Sequence, residues 1–320
     1  MKRLCGFLIL FFSLAMSFGV HAEEYGVYVK VAEKVGGTFD EAIKNTEGVL
    51  AKNGWHVLAS YAAAVPEGCG FKAHTIVVNS PDYTRKIMSH GPYSAFALPL
   101  RVGIFTDEKG TSISFLNPAS LNRTVLGDTV EKDLSVAEMK ELSALLASAI
   151  KGARVNQQSG EIRSKGYVGG MGGGAFSGKI TEIYKKEDKG SNFRDIAAKV
   201  KDGITGNSKG WRLVYSLELG NNAILYGLDK QKTEARAFKI AGEKRESKYN
   251  PCPGIDHSPA FPVEVIVLRE NGMVKVVTLD EMYRMKVYFE DAGKWAFMKN
   301  MGMPGAIEKE IIEISGSKLK

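Results

Sequence analysis

The chain has 320 residues, 43 Lys and Arg against 36 Asp and Glu for a net charge of +7, three cysteines and 44% apolar residues. At roughly 100–200 residues per domain, this length predicts about two domains with cores of their own. Charged residues at 25% exclude a polytopic membrane protein, and the apolar content excludes a wholly disordered chain.

Residues 1–22 read as a secretory signal peptide. Lys2 and Arg3 form the charged start, Gly6 to Val20 is an almost unbroken apolar run, and Val20-His21-Ala22 places small residues ahead of Glu23. The run is short of the roughly 20 apolar residues that a bilayer requires, and Cys5 lies ahead of it, out of place for lipidation. Cleavage after Ala22 predicts a periplasmic or secreted protein without a membrane span, of about 298 residues and a charge of about +5. That excess is interleaved with acids, which argues against nucleic acid as a partner.

Taken in chain order, residues 25–33 read as a strand. Thr38-Phe39-Asp40-Glu41 then has capping-box spacing and opens a helix that stops near Gly54. Strands are predicted from Trp55 to Tyr61 and from His74 to Asn79, and Ser80-Pro81-Asp82 starts a second helix. A hairpin turns at Asp107-Glu108-Lys109-Gly110, and a helix capped by Ser135 with Glu138 closes the unit near Ile150. The order then returns. Asn192 caps a helix running to Gly210, and Trp211 to Ser216 and Ala223 to Gly227 repeat the two strands. A helix spans 232–244, a hairpin turns at Asn271-Gly272, and a last helix covers 304–314. The chain therefore divides into a first α+β unit (23–152), a Gly-rich linker (153–177) and a second α+β unit (178–320). Within the linker, Gly173 to Gly178 followed by Lys179 has phosphate-loop spacing, but Ile180 cannot ligate Mg²⁺ and the segment precedes a strand instead of following one.

The stretch from Phe39-Asp40-Glu41-Ala42 through Gly54-Trp55 to Leu98-Pro99-Leu100-Arg101-Val102 resembles the domain of unknown function 302 family. Phe193-Arg194-Asp195-Ile196, Gly210-Trp211 and Phe261-Pro262-Val263-Glu264-Val265 resemble a second, more diverged copy. The resemblance implies two tandem two-layer α/β units of TATA-binding-protein-like topology, packed as a pseudo-dimer. Common members carry Cys after the Pro; Leu100 and Val263 stand there in this chain, so chemistry tied to that thiol is absent.

Nothing in the sequence has the GxSxG, HExxH, CxxC or CxxCH spacing that would mark a catalytic or haem centre. The expected function is non-catalytic binding of a small ligand or a periplasmic protein. The alternative is a metal-binding or redox accessory protein. Cys69 and His74, like Cys252 and His257, are five residues apart, and two thiolates with two imidazoles could hold Zn or Cu between the units. Disulfide and free thiols remain open beside this reading, because the two cysteines sit at different places in the repeat. His90-Gly91-Pro92 and His257-Ser258-Pro259 each lead to a hairpin strand, so His90 and His257 are candidate ligand-binding residues. Trp295, Phe297, Met298, Met301 and Met303 form a dense patch suited to a partner, or to self-association through Trp295 and Phe297.

Overall fold

The computed structural model describes residues 23–128, 132–148, 150–190 and 192–319, so residues 1–22, expected to be a signal peptide, lie outside the described residues. The first unit runs β1 (Tyr25–Val35), α1 (Phe39–Lys52), β2 (His56–Ala63), β3 (Ala73–Asn79), α2 (Pro81–Met88), a 3₁₀ segment (Pro92–Ala97), β4 (Leu100–Asp107), β5 (Gly110–Leu116), α3 (Pro118–Leu126), α4 (Lys132–Ser148) and β6 (Ala153–Arg163). The second runs β7 (Ile180–Glu187), α5 (Asn192–Thr205), β8 (Arg212–Leu219), β9 (Ala223–Asp229), α6 (Gln231–Gly242), a 3₁₀ segment (Pro253–Ala260), β10 (Val263–Glu270), β11 (Met273–Leu279), α7 (Glu281–Phe289), α8 (Lys294–Lys299) and α9 (Gly302–Gly316).

Local chemistry sets the element starts. The Thr38 hydroxyl accepts from the Glu41 N–H while the Glu41 carboxylate accepts from the Thr38 N–H, closing the capping box of α1. Ser80 caps α2 ahead of Pro81, and Asn117 and Asp280 cap α3 and α7. Two expected caps are corrected. The helix assigned to Ser135 begins at Lys132, and Ser135 is buried inside it, its hydroxyl accepting from the Asn122 amide at 2.9 Å. Asn192 lies within α5, and its amide donates to the Glu187 carbonyl at 3.0 Å, tying the helix to β7.

The two sheets are antiparallel and repeat one topology: β2-β3-β4-β5-β1-β6 in the first and β8-β9-β10-β11-β7 in the second. The chain is α+β, with two tandem two-layer units. Its extra strand, β6, comes from the segment expected to be linker: residues 153–163 pair with β1 along the sheet edge. The Gly-rich stretch that follows, 166–174, forms a turn pinned by the pairing of Val168 with Gly174.

Alternation along the strands sends one face of each sheet to helices and the other to the opposite unit. On β4, Val102 and Ile104 are fully buried towards the side that packs against α1, while Arg101 reaches Glu264 on β10. The 3₁₀ segments cross between the units, Pro92–Ala97 packing on β10 and Pro253–Ala260 on β4. Gly103 of β4 permits the second crossing, since a Cβ there would lie 2.5 Å from the Ser258 hydroxyl and 2.8 Å from the Pro259 ring. The result is a pseudo-dimer within one chain, with helices outside and two sheets facing across a seam. Among the described residues, no helix is long and apolar enough to cross a membrane.

Candidate functional site

The seam is polar at its centre. Arg101 donates to the Glu264 carboxylate at 2.6 Å, to the Pro262 carbonyl at 3.0 Å and to the Tyr288 hydroxyl at 2.8 Å, all three buried. Arg284 forks onto both oxygens of buried Glu281 and donates to the Ala260 carbonyl at 3.0 Å. Burial pushes the Glu264 carboxyl up, and the Arg101 and Arg284 charges oppose that shift. The Arg101 contacts cross from the first unit to the second, whereas Arg284, Glu281 and Ala260 all lie in the second; Nε of Arg101 and Nη2 of Arg284 are buried without a hydrogen-bond partner.

His257 lies beside them and is 1% exposed. Its ring stacks on Phe289, with centroids 5.4 Å apart, and meets Tyr28 edge-on at 5.2 Å. Nδ1 lies 2.6 Å from Asp256 and Nε2 lies 2.9 Å from Asp291. Burial alone would lower the imidazole pKa; the two carboxylates outweigh it and push it up to about 9. Asp256, which also accepts from Arg245, is held well below the usual carboxylate range by His257 and Arg245 against its burial. The arrangement is an imidazolium clamped by two acids.

A cleft of about 560 Å³ opens next to this group, where β6 and the Gly-rich turn meet α7 and α8. Met171, Met282, Met298, Met301 and Phe297 line it together with Glu161, Glu290, Lys286 and Lys294. Glu290 accepts from Arg163 at 3.1 Å and pairs with Lys286 at 2.5 Å, so its position is fixed by both units. Burial, with the charges of Glu290 and Asp291, raises the Glu161 carboxyl above its ordinary value. Lys286 sits over the Phe297 ring at 5.9 Å. The cleft sets thioether and aromatic surface beside two acids and two amines.

The residues chosen from sequence are dispersed. Cys69 and Cys252 are joined in a disulfide, so their sulfurs are not available as thiolate ligands. His74 is turned to the helix side of the first sheet, 2.7 Å from the Ser60 hydroxyl, and burial lowers its pKa. His257 has both ring nitrogens committed to Asp256 and Asp291. The four expected metal ligands therefore do not converge, and among the described residues no three His, Cys, Asp or Glu side chains are grouped as a metal site. The paired histidines also part company: His90 lies on the exposed rim of a separate cleft with Tyr93, Phe176 and Glu182, whereas His257 is sealed in the seam. Of the aromatic and Met patch, Phe297, Met298 and Met301 reach the 560 Å³ cleft, Met303 lines an adjoining apolar crevice with Met285 and Phe289, and Trp295 is 67% exposed. Sequence reasoning missed Glu161, Met171, Met282, Lys286 and Glu290, which lie on three segments that only the fold brings together; the density of methionine near residue 300 was the one local signal.

Fold and cleft together define a two-unit α+β protein with an open cleft where β6 and the Gly-rich turn meet α7 and α8. Residues 31–151, within the first unit and the start of β6's approach, match the family model described as "Domain of unknown function DUF302". A crystal structure of an uncharacterized conserved DUF302 protein from Bacillus stearothermophilus is 19% identical over 40% of this chain and 98% of that one, with a TM-score of 0.33. No curated protein matches the chain.

Proposed function

We propose that this is an exported, non-catalytic binding protein, built from two diverged copies of a DUF302-type unit, that takes its ligand in the cleft at the seam. The observation that carries this reading is the cleft itself: about 560 Å³, walled by Met and Phe, with Glu161, Glu290, Lys286 and Lys294 converging on it. The second copy is supported by the shared strand order and by the paired caps Asn117 and Asp280 at the head of α3 and α7. Export is supported by the charged start, apolar run and small residues of 1–22, and by a disulfide, which fits an oxidising compartment.

Native mass spectrometry of protein recovered from the periplasm tests the reading. The expected result is a chain beginning at Glu23 that carries a bound mass, with the bound mass lost in Met282→Trp, which fills the cleft. A wild type that carries no bound mass, like the filled variant, would overturn the binding reading, and retention of residues 1–22 would overturn export.

A further inference from the structure

We propose that the cleft holds one soft monovalent metal ion, Cu(I), on methionine thioethers. The inference rests on reading this cleft as the binding site and specifies the chemistry it selects. Four of the chain's 11 methionines line the one cavity, and they come from three different places: Met171 from the Gly-rich turn, Met282 from α7, and Met298 and Met301 from α8 and the turn after it.

Burial does not account for them. Met171, Met298 and Met301 are 65%, 41% and 46% exposed, whereas a methionine used for packing is ordinarily inside. The backbone is shaped to gather them. Met298 lies on α8 and Met301 in the turn that leads from α8 into α9, and both side chains line the cleft. Gly172 adopts φ +79° and lies so close that a Cβ would sit 2.4 Å from Cγ of Met282, so any other residue there would shift either the turn that carries Met171 or the Met282 side chain.

The donor chemistry then selects the ion. A thioether is a neutral, polarisable sulfur ligand that suits Cu(I) and has little affinity for Mg²⁺ or Ca²⁺. It needs no deprotonation, and it cannot be removed by disulfide formation, the fate of both cysteines in the described chain. The fixed charges lining the cleft are two acids, Glu161 and Glu290, against two amines, Lys286 and Lys294. Near-zero local charge gives a divalent cation no electrostatic advantage and leaves selection to the sulfurs.

The test is a titration of the exported protein with Ag(I), a redox-inert stand-in for Cu(I), in chloride-free buffer, followed by ¹³C-methyl methionine NMR. One equivalent should bind, shifting the methyls of Met171, Met282, Met298 and Met301 while those of Met88 and Met139 stay in place. Met298→Leu with Met301→Leu, which keeps side-chain volume, should weaken Ag(I) binding at least tenfold. Met171→Leu, at a position 65% exposed in the turn, should weaken it several-fold and gives a second reading independent of α8. Absence of saturable uptake, or unchanged affinity in these variants, overturns the metal site. A bound organic mass that Met282→Trp removes, together with no Ag(I) uptake, would overturn the metal and leave the binding reading standing.

Discussion

Arg101 and Glu264 occupy the same place in the two units, two residues after the cis prolines Pro99 and Pro262, and meet across the seam as a buried ion pair at 2.6 Å. In a symmetric pair of identical units this position would face its own copy, and either residue alone would set like charges together. In this chain the two positions carry opposite charges, so the first unit is complementary to the second.

Truncating one partner should therefore cost far more than removing both. Arg101→Met leaves Glu264 buried without its countercharge and the Tyr288 hydroxyl without its donor, and should lower stability by about 3–5 kcal/mol. Arg101→Met with Glu264→Met should recover most of that loss. Urea unfolding of the single and double variants measures both, and equal losses in the two would show that the pair contributes no more than its packing.

The Cys69–Cys252 disulfide closes a segment of 183 residues and ties one unit to the other. Its loss, by Cys69→Ser with Cys252→Ser, should cost about 2–5 kcal/mol through the freedom returned to the unfolded chain. A urea midpoint for the double variant equal to that of the oxidised wild type would contradict this.

The element order of the two units was legible because it is written in local signals: the capping box at Thr38, the Gly-Trp junctions at Gly54 and Gly210, and the Asn271-Gly272 turn. β6 was not, because Asn156, Gln157, Gln158, Ser159 and Gly160 give no apolar alternation; an edge strand of this kind is held through backbone pairing with β1. The disulfide was left open for a related reason. Cys69 precedes β3 and Cys252 precedes a 3₁₀ segment, places that do not correspond in the repeat, and only the crossing of Pro253–Ala260 onto the first sheet brings them together. The cleft escaped notice because β6, the Gly-rich turn and α7 to α8 are far apart in sequence. His257 could be picked out as unusual, but the carboxylates that clamp it, Asp256 aside, come from 34 residues away.

Gly172→Ala should act on the cleft more than on the fold. The new Cβ would meet Met282 in a turn at positive φ, a local cost of about 1–3 kcal/mol that the turn can relieve by moving outwards. The expected outcome is weakened ligand binding with a small change in melting temperature. Full binding in this variant would show that the turn does not shape the cleft.

Stability should fall as pH rises from about 5 to 9, chiefly through two buried groups that hold a proton in the folded state, with Glu138, pushed up to about 7 by its burial, adding to the lower part of the window. His257 is pushed up to about 9 by Asp256 and Asp291 against its burial, from a reference of 6.5, so its contribution is complete below pH 6.5 and is lost as pH climbs to 9. Glu234, on the buried face of α6 and accepting from the Ala64 N–H, is pushed up to about 8 by that burial, from 4.5. The unfolded chain releases this proton near pH 4.5 while the folded chain keeps it, so folding is penalised progressively from 4.5 to 8. Each retained proton contributes a slope of about −1.4 kcal/mol per pH unit within its window. Asp256 acts in the other direction: its lowered pKa supplies stability above its reference of 3.8 that is lost as pH falls further. Urea midpoints at pH 5, 7 and 9 should therefore decline in order. Glu234→Gln should flatten the step from 5 to 7, and His257→Gln should flatten the step from 7 to 9, whatever either substitution does to absolute stability. A wild-type profile that is level or rising across this range would contradict the assignment of both protons.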